Sequence, residues 1–346
     1  MDSPRPAPVD LSINFPAFAL ERIPALAQSA ERAGFRALRV GDMQSTHREL
    51  YTALTLIASS TSRVEFGPGV TNPATRHPAV AASAMATLHE YSGGRAVFGI
   101  GTGDSAVHNL GGKPATLADL EEYILAVRSL HSTGSATYRG STLVLEWWTG
   151  GSIPIVVSAH GPKMLRLGGR VADAVVVGLG MGPLAREYAA EQIAEGARQA
   201  GRDPASVEVW YLSYLNLAPT ADDGAREVGS ALAVGGNLLA KSAARTIIPD
   251  SLRSRFAELA SRYSYVQHAG AAADNPNARL IDELGLRDHL AEQFGVFGTP
   301  ADIRARLDSL VGADVTRLWG AYVLPDLVDF FDRWRDGVTE PLRKGG

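Results

Sequence analysis

The chain of 346 residues contains no cysteine. This absence excludes disulfide bonds, cysteine nucleophiles and cysteine-ligated metal sites. The sequence also lacks any apolar run of the roughly 18 residues that a membrane-spanning helix needs, and its first residues do not have the basic and apolar regions of a signal peptide. We therefore expect a cytoplasmic protein with no membrane partner.

The chain carries no excess of basic residues. Its formal net charge is −4 and its isoelectric point is about 6.1, so it has no general positive field that would attract nucleic acid. We therefore expect a small-molecule ligand rather than a nucleic acid.

Several catalytic and metal-binding motifs are missing as well. The eight histidines form neither an H-x₃-H pair nor H-E-x-x-H, and neither G-x-S-x-G nor G-x-x-x-x-G-K-[ST] occurs. These absences argue against a zinc site, a serine hydrolase and a phosphate-binding P-loop. We expect no metal.

Short β-branched runs alternate with longer amphipathic runs along the chain, which indicates parallel strands joined by helical crossovers. The predicted strands are Val9–Phe15, Ala37–Asp42, Val64–Val70, Ala96–Gly101, Pro154–Ala159, Asp173–Gly178, Val207–Leu217 and Thr316–Tyr322. The predicted helices are Leu20–Ala33, Arg48–Ser60, Ala79–Tyr91, Leu117–His131, Lys163–Val171, Leu184–Ala200, Asp222–Ala240, Ala301–Val311 and Pro325–Val338.

Eight strands favour a (βα)8 TIM barrel, with a doubly wound open sheet as the structural alternative. A plain barrel needs roughly 250 residues, so the remaining residues belong to insertions. We predict a hairpin at 135–151 and extra helices at 242–293. No linker or repeat divides the chain, so we expect one domain over residues 1–346.

Ligands of such barrels bind at the carboxyl ends of the strands. Asp42 ends the second strand and is either a turn carboxylate or an acid facing the cavity. The third strand runs into "GPGVTNPATRHPAV", which carries two glycines and three prolines and no carboxylate. This stretch is either a tight loop or a backbone surface pressed against a flat ligand, to which Thr71 and Asn72 donate hydrogen bonds.

The fourth strand ends "VFGIGTGDSA", where Gly99, Gly101 and Gly103 leave three positions without side chains. The spacing G-x-G-x-G is not that of a dinucleotide loop, and such a loop belongs near the first strand. The pattern therefore argues against nicotinamide binding here. Asp104 follows the last of these glycines as a second carboxylate at the barrel mouth.

Two helix starts offer an anion site, because the free N–H groups of a first turn attract negative charge. One follows "VVSAHGPK", where Ser158 adds a hydroxyl group and Lys163 a positive charge. The other is "FGTPADI", where Thr299 is a candidate N-cap. The residues alone do not choose between them.

Several aromatic residues are candidates for a pocket lining or for plain core packing. Trp210 and Trp319 lie in or beside predicted strands, which favours core packing. Trp147 and Trp148 fall in the predicted hairpin, where they suggest a lid.

Three stretches together resemble the luciferase-like flavin and deazaflavin oxidoreductases, in particular the methylenetetrahydromethanopterin reductase branch. They are "GPGVTNPATRHPAVAASAMATLHEYSGGRAVFGIGTGDSA" (67–106), "VSAHGPKMLRLGGRVADAVVVG" (157–178) and "GTPADIRARLDSL" (298–310). The resemblance implies coenzyme F420 as the cofactor, with FMN as the alternative, and a homodimer.

The resemblance also implies site residues. A cis peptide bond between Gly69 and Val70 would press a bulge against the back of the deazaflavin ring. The residues that the resemblance and the strand ends assign to the cofactor are Asp42, Gly69, Val70, Thr71, Asn72, Gly101, Gly103, Asp104, Ser158, Ala159, His160 and Gly161. The sugar-phosphate-oxidising relatives carry a histidine after the acid of the second strand, where this chain has Met43, which argues against a glucose-6-phosphate dehydrogenase.

Three functions remain open from the sequence. The first is an F420-dependent oxidoreductase that transfers a hydride between the deazaflavin and a small organic substrate, with Asp42 or Asp104 as the catalytic group that handles a proton. The second is an FMN-dependent monooxygenase that uses reduced flavin and oxygen. The third is a flavin-binding protein without turnover.

Overall fold

The computed structural model describes residues 9–242, 245–264, 275–321 and 326–344. Strands alternate with helices through these ranges. The strands are β1 (Asp10–Pro16), β2 (Ala37–Gly41), β3 (Glu65–Pro68), β4 (Phe98–Ile100), β5 (Ser135–Tyr138), β6 (Ser141–Val144), β7 (Ile155–Ala159), β8 (Ala174–Val177), β9 (Glu208–Leu217), β10 (Gly295–Gly298) and β11 (Arg317–Ala321).

The helices lie between the strands along the chain, and most of them connect one parallel strand to the next. They are α1 (Ile23–Arg32), α2 (Leu50–Ser60), α3 (Pro78–Tyr91), α4 (Ser105–His108), α5 (Leu117–Thr133), α6 (Pro162–Val171), α7 (Pro183–Gln199), α8 (Ala221–Glu227), α9 (Gly229–Lys241), α10 (Arg253–Arg262), α11 (Pro276–Glu283), α12 (Arg287–Phe294), α13 (Pro300–Val311), α14 (Leu327–Trp334) and α15 (Glu340–Lys344). Among the helices of the described ranges, none is both long enough and apolar enough to span a membrane.

Proline marks the start of four helices that follow sheet strands. Pro78, Pro162, Pro183 and Pro300 occupy the first turns of α3, α6, α7 and α13. A proline there loses no hydrogen bond, and its fixed φ suits a helix. These residues therefore set where the chain leaves each strand end and turns into a helix.

The strands form a parallel barrel. Their order is β3-β2-β1-β11-β9-β8-β7-β4, and β10 pairs with the last part of β9. Parallel bridges between Phe66 and Ala96 and between Thr71 and Ile100 join the β3 side to the β4 side. The predicted (βα)8 barrel and its eight strands are thus confirmed.

Side chains alternate between the two faces of the barrel wall. Leu38 and Phe66 point outward into the main core under the helices. A separate apolar cluster fills the interior and includes Trp210 and Trp319, whose rings meet edge to face at 6.4 Å. The core-packing interpretation of these two tryptophans is confirmed.

The first insertion is a shorter hairpin than predicted, since β5 and β6 pair only from Ser135 to Val144. Trp148 lies beyond it and donates from Nε1 to the backbone oxygen of His131 at 2.7 Å. His131 is in the last turn of α5, and a helix that follows a barrel strand ends at the amino-terminal face. The lid interpretation of Trp147 and Trp148 is therefore wrong, because this end of the barrel is opposite the strand ends that bind ligands.

The second insertion is helical, as predicted. Helices α10, α11 and α12 pack against α9. Residues 243–244 and 265–274 of this insertion lie outside the described residues, as do Tyr322 and Pro325 at the ends of the last predicted strand and helix.

The stability of the fold depends on pH through the buried side chain of His131. Its side chain is buried, its ring packs edge-on against Phe98, and Nε2 lies 3.2 Å from the backbone oxygen of Ala82. Burial lowers the pKa of His131 from 6.5 to about 4, although the contact with Ala82 opposes the shift. The unfolded chain therefore binds a proton at a higher pH than the native chain does.

We expect this histidine to make the protein less stable in mild acid. Its contribution is complete above about pH 6.5 and is lost as the pH falls toward 4. At pH 5 the loss amounts to about 2 kcal/mol. Urea unfolding at pH 7.5 and 5.0 should show this much less loss in His131→Gln than in the wild type, whereas a variant of the exposed His108, His108→Gln, should lose as much as the wild type. Equal losses in His131→Gln and wild type would contradict the assignment.

Candidate functional site

The chain bulges at the end of β3. The peptide bond between Gly69 and Val70 is cis, as the resemblance implied. Beyond it the ladder resumes, because Thr71 donates its N–H to the oxygen of Gly99 and accepts from the N–H of Gly101, each at 3.0 Å. Gly69 and Val70 are partly exposed at the carboxyl ends of the strands. They form a piece of flat backbone at the barrel mouth.

The glycines in and just after β4 lie against this bulge. A Cβ atom on Gly99 would lie 2.1 Å from the backbone oxygen of Pro68, so no side chain fits there without moving β3. A Cβ atom on Gly101 would meet only the Cγ2 of Val70, at 3.2 Å. Gly103 has a φ of +96° and packs against Asn72. Close backbone approach therefore explains the first glycine, and a positive φ explains the third.

Thr71 and Asn72 are buried, and their side chains organise the loop. The hydroxyl group of Thr71 donates to Asp42 Oδ2 at 2.6 Å. From the sequence we expected this hydroxyl group to donate to a ligand, but its proton goes to a protein carboxylate. The Asn72 Oδ1 accepts from the backbone N–H groups of Ala74 and Thr75, each at 3.0 Å. These bonds shape the chain between β3 and α3.

Asp42 is the centre of an ion-pair network. Its side chain is only 2% exposed, and its Oδ2 accepts from Arg76 as well as from Thr71. Arg76 also reaches Glu49 Oε1 at 3.0 Å and stacks over the ring of Tyr51 at 5.0 Å. Burial is the largest single influence and lowers the pKa of Arg76, but the hydrogen bond with Asp42 and the electrostatic effects of Asp42, Tyr51 and Glu49 together outweigh it, so the pKa of Arg76 is raised.

Sequence reasoning missed Arg76. The loop was notable for having no carboxylate, and its one cation was passed over. The signal was present, since an arginine in an acid-free loop beside a strand-end aspartate predicts an ion pair. The consequence is that Asp42 holds the loop between β3 and α3 in place.

Asp104 and His160 lie on the other side of the mouth. The side chain of Asp104 is 86% exposed, and one of its oxygens lies 3.7 Å from Nε2 of His108. The ring of His160 packs so closely on Gly178 that a Cβ there would be 2.2 Å from it. Burial lowers the pKa of His160, while the charge of Asp104 acts in the opposite direction. His160 is therefore neutral at pH 7 and within electrostatic reach of Asp104.

The two candidate anion sites differ in their caps. At the start of α13, Thr299 accepts from the N–H of Asp302 and Asp302 accepts from the N–H of Thr299, a complete capping box. The protein's own carboxylate thus occupies that helix start. At the start of α6, the N-cap Gly161 supplies no side-chain cap, and a Cβ atom on it would meet no described atom within 4 Å. The start of α6 is the open one.

The residues that follow β8 are hydrogen-bonded by Gln293, which the sequence analysis did not consider. Gln293 donates from Nε2 to the oxygen of Leu179 at 2.6 Å and accepts the N–H of Met181 through its backbone oxygen at 2.8 Å. No local pattern indicates this, because Gln293 lies on α12, more than 100 residues further along the chain. Gln293 thus covers the chain after β8, whereas the helix that follows the neighbouring strand β7, which is α6, keeps an open start.

These features define a (βα)8 barrel whose strand ends present a flat, glycine-bounded surface beside an open helix start. The sequence model of the luciferase-like monooxygenase family matches residues 4–317, and the chain belongs to that family. This finding confirms the resemblance seen in the three sequence stretches.

Within this family, the chain is similar to several reductases and a dehydrogenase of known name. The chain is 32% identical over 305 residues to the 5,10-methylenetetrahydromethanopterin reductase of Methanolobus tindarius, covering 86% of this chain and 89% of the relative. The structure of the coenzyme F420-dependent tetrahydromethanopterin reductase of Methanopyrus kandleri is similar with a TM-score of 0.77 at 24% identity, covering 97% of this chain and 100% of that one. An F420-dependent secondary alcohol dehydrogenase in complex with an F420-acetone adduct is similar with a TM-score of 0.69 at 19% identity, covering 95% and 98%.

Proposed function

We propose that this protein is a coenzyme F420-dependent oxidoreductase that transfers a hydride between the deazaflavin ring and a small organic substrate. One observation carries the proposal: the flat backbone surface between β3 and β4 lies beside the open start of α6, because β4 pairs directly with β7. The relatives named as F420-dependent or as methylenetetrahydromethanopterin reductases support the same cofactor.

The residues of the site fit such a cofactor. Gly69, Val70 and Gly101 would lie under the ring, where a side chain on Gly101 would crowd Val70. The uncapped N–H groups at the start of α6 suit an anionic tail. Ser158, Ala159, His160 and Gly161 lead into this helix and would hold the phosphate.

The roles of the two carboxylates differ. The bound deazaflavin supplies the hydride chemistry, and the protein positions it and excludes water. Asp42 is committed to Thr71 and Arg76, so we assign it to holding the loop under the ring. Asp104 is exposed at the mouth beside Gly103, and we assign it to proton transfer with the substrate.

The proposal extends to substrate and assembly. Methanopterin derivatives are the first substrates to test, since the reductase relatives are named for them. The proposal includes the homodimer that the family resemblance implies and the cytoplasmic location expected from the sequence. Light scattering tests the assembly, with twice the 36.6 kDa chain mass expected.

The second candidate is an FMN-dependent monooxygenase, which the family name favours. Titration of the purified protein with F420 and with FMN decides between them. We expect F420 to bind at micromolar concentrations or below, with a change in its absorbance or fluorescence, and FMN to bind at least tenfold more weakly. Tight binding of FMN without binding of F420 would reject the proposal.

The same titrations on Asp104→Asn separate binding from turnover. We expect its F420 affinity to stay within about threefold, because the side chain is largely exposed, and hydride transfer to fall about 100-fold, within the range of general acid–base catalysis. Full turnover in Asp104→Asn would remove Asp104 from proton transfer. Binding without turnover of any tested substrate by the wild type would favour a non-catalytic flavin-binding protein.

A further inference from the structure

Arg39 is a charged side chain inside the barrel. It lies on β2, and its side chain is only 2% exposed. Its guanidinium group stacks on the ring of Trp319 at 5.2 Å, and its Nη2 is 3.6 Å from Glu65 Oε2. Within the chain as far as the structure describes it, Nε and Nη1 of Arg39 have no hydrogen-bond partner. Burying a guanidinium group with so few hydrogen bonds is energetically costly.

Five other charged residues surround the amino-terminal end of the barrel. Each of them has a side chain that is between 30% and 40% exposed, so solvent screens its charge. They are Asp10, Arg36, Glu65, Glu208 and Arg317. Arg39 differs from them because it is desolvated, so its field reaches through the barrel interior with little screening.

Arg39 lies directly below the bulge of β3. It pairs in register with Gly67, two residues before Gly69. A Cβ atom on Gly69 would be 2.5 Å from the Cβ of Arg39. Burial lowers the pKa of Arg39 to about 10, with the charge of Glu65 opposing, so the group is positive at pH 7. The Nη1 atom of Arg39 lies beside Gly67, so this positive charge is two residues of strand, or about 7 Å, beneath the flat surface. A ring in van der Waals contact with that surface would lie about 10 Å from the charge.

We infer that Arg39 makes the site bind the reduced, electron-rich form of a deazaflavin more tightly than the oxidised form. This inference rests on the proposed function. It follows because a positive charge under the ring attracts the electron density that two-electron reduction adds. Val97, Val156 and Val176 belong to the same buried apolar cluster as Trp319, on which Arg39 stacks, so the charge lies in a barrel interior of low dielectric. Arg39 would act on the ring through its charge and not through direct contact, because its side chain is buried.

The test compares dissociation constants of oxidised and reduced F420, measured by fluorescence or absorbance under anaerobic conditions. In Arg39→Met we expect the ratio of the reduced to the oxidised constant to rise about tenfold, the order expected for a unit charge at this distance, which corresponds to about 30 mV in the two-electron potential of the bound cofactor. Arg39→Lys keeps the charge and should stay within about threefold of the wild type.

Two further variants keep the test valid if Arg39→Met does not fold. Glu65→Gln removes the opposing negative charge and should lower the ratio, by about two- to threefold because Glu65 is partly exposed. Arg36→Met removes a matched but partly exposed arginine and should change the ratio less than twofold. A structural role for Arg39 predicts lower stability with an unchanged ratio.

The outcomes separate the two claims. If the wild-type protein binds neither form of F420, the proposed function fails and this inference falls with it. If the wild type binds F420 but the ratio stays within twofold in both Arg39→Met and Glu65→Gln, the inference alone is overturned. A ratio in Arg36→Met that shifts as much as in Arg39→Met would also overturn it, because burial would then not distinguish Arg39.

Discussion

Gly99→Ala is expected to lose about 3 kcal/mol of folding stability or more, and with it the binding of the cofactor. The new methyl group would lie 2.1 Å from the backbone oxygen of Pro68. That oxygen belongs to β3, whose Pro68 is paired in register with Val40, so it cannot rotate away as a side chain would. Overpacking against flexible neighbours typically costs 1–3 kcal/mol, and a fixed backbone contact belongs at the upper end. Urea unfolding measures the loss.

The matched control is Gly101→Ala, two residues further along the chain. Its methyl group would meet only Val70 Cγ2, at 3.2 Å, and the Val70 side chain can shift by a few tenths of an ångström. We expect a stability change within about 1 kcal/mol, together with weaker cofactor binding because the crowded Val70 lies on the flat surface. Equal losses of stability in both variants would show that the Pro68 contact is not the cause.

Arg76→Met is expected to cost about 3–5 kcal/mol, the usual penalty for removing one partner of a buried ion pair. Asp42 would keep only the hydrogen bond from Thr71, and its carboxylate has almost no access to water. The loop between β3 and α3 would lose its anchor. Cofactor affinity should therefore fall together with stability, as measured by titration and by urea unfolding.

Two companion variants separate charge from packing. Glu49→Gln breaks the other ion pair of Arg76, but the side chain of Glu49 is 49% exposed, so the expected cost is below about 1 kcal/mol. The double variant Asp42→Asn with Arg76→Met leaves no unpaired charge and should recover part of the stability lost in Arg76→Met. A double variant that is no more stable than Arg76→Met would locate the effect in packing on Tyr51.

The barrel could be predicted because its elements are local. Alternating runs of β-branched and amphipathic residues depend on neighbours a few positions away, so all eight barrel strands were predicted near their observed bounds. The starts of α6 and α13 could also be predicted from the sequence, because Pro162 and Pro300 favour a first helical turn through their own backbone geometry. The hairpin was predicted too long, since Trp148 hydrogen-bonds to α5 instead of pairing. Strand β10 was not predicted, and the helix predicted at Asp222–Ala240 is divided into α8 and α9.

The site was predictable only in part. The glycines at the ends of β3 and β4 were visible as composition, but the contact between Gly99 and Pro68 depends on two strands that meet when the barrel closes. The choice between the two helix starts could have been made from the sequence, because Thr299 and Asp302 have the spacing of a capping box, whereas Gly161 has no side chain to cap α6. Sequence reasoning considered neither Arg39 nor Arg76, because their partners are distant in the chain or reached across the mouth.

The sequence by itself determined a (βα)8 barrel, the glycine-rich strand ends and the family to which they belong, since each of these depends on residue types at short spacing. The tertiary structure decided which distant charges meet: that Asp42 is held by Arg76, and that Arg39 is desolvated inside the barrel. The reason is physical. The energy of a charge depends on its distance from other charges and from water, and for residues far apart along the chain both are set only when the strands close into a barrel.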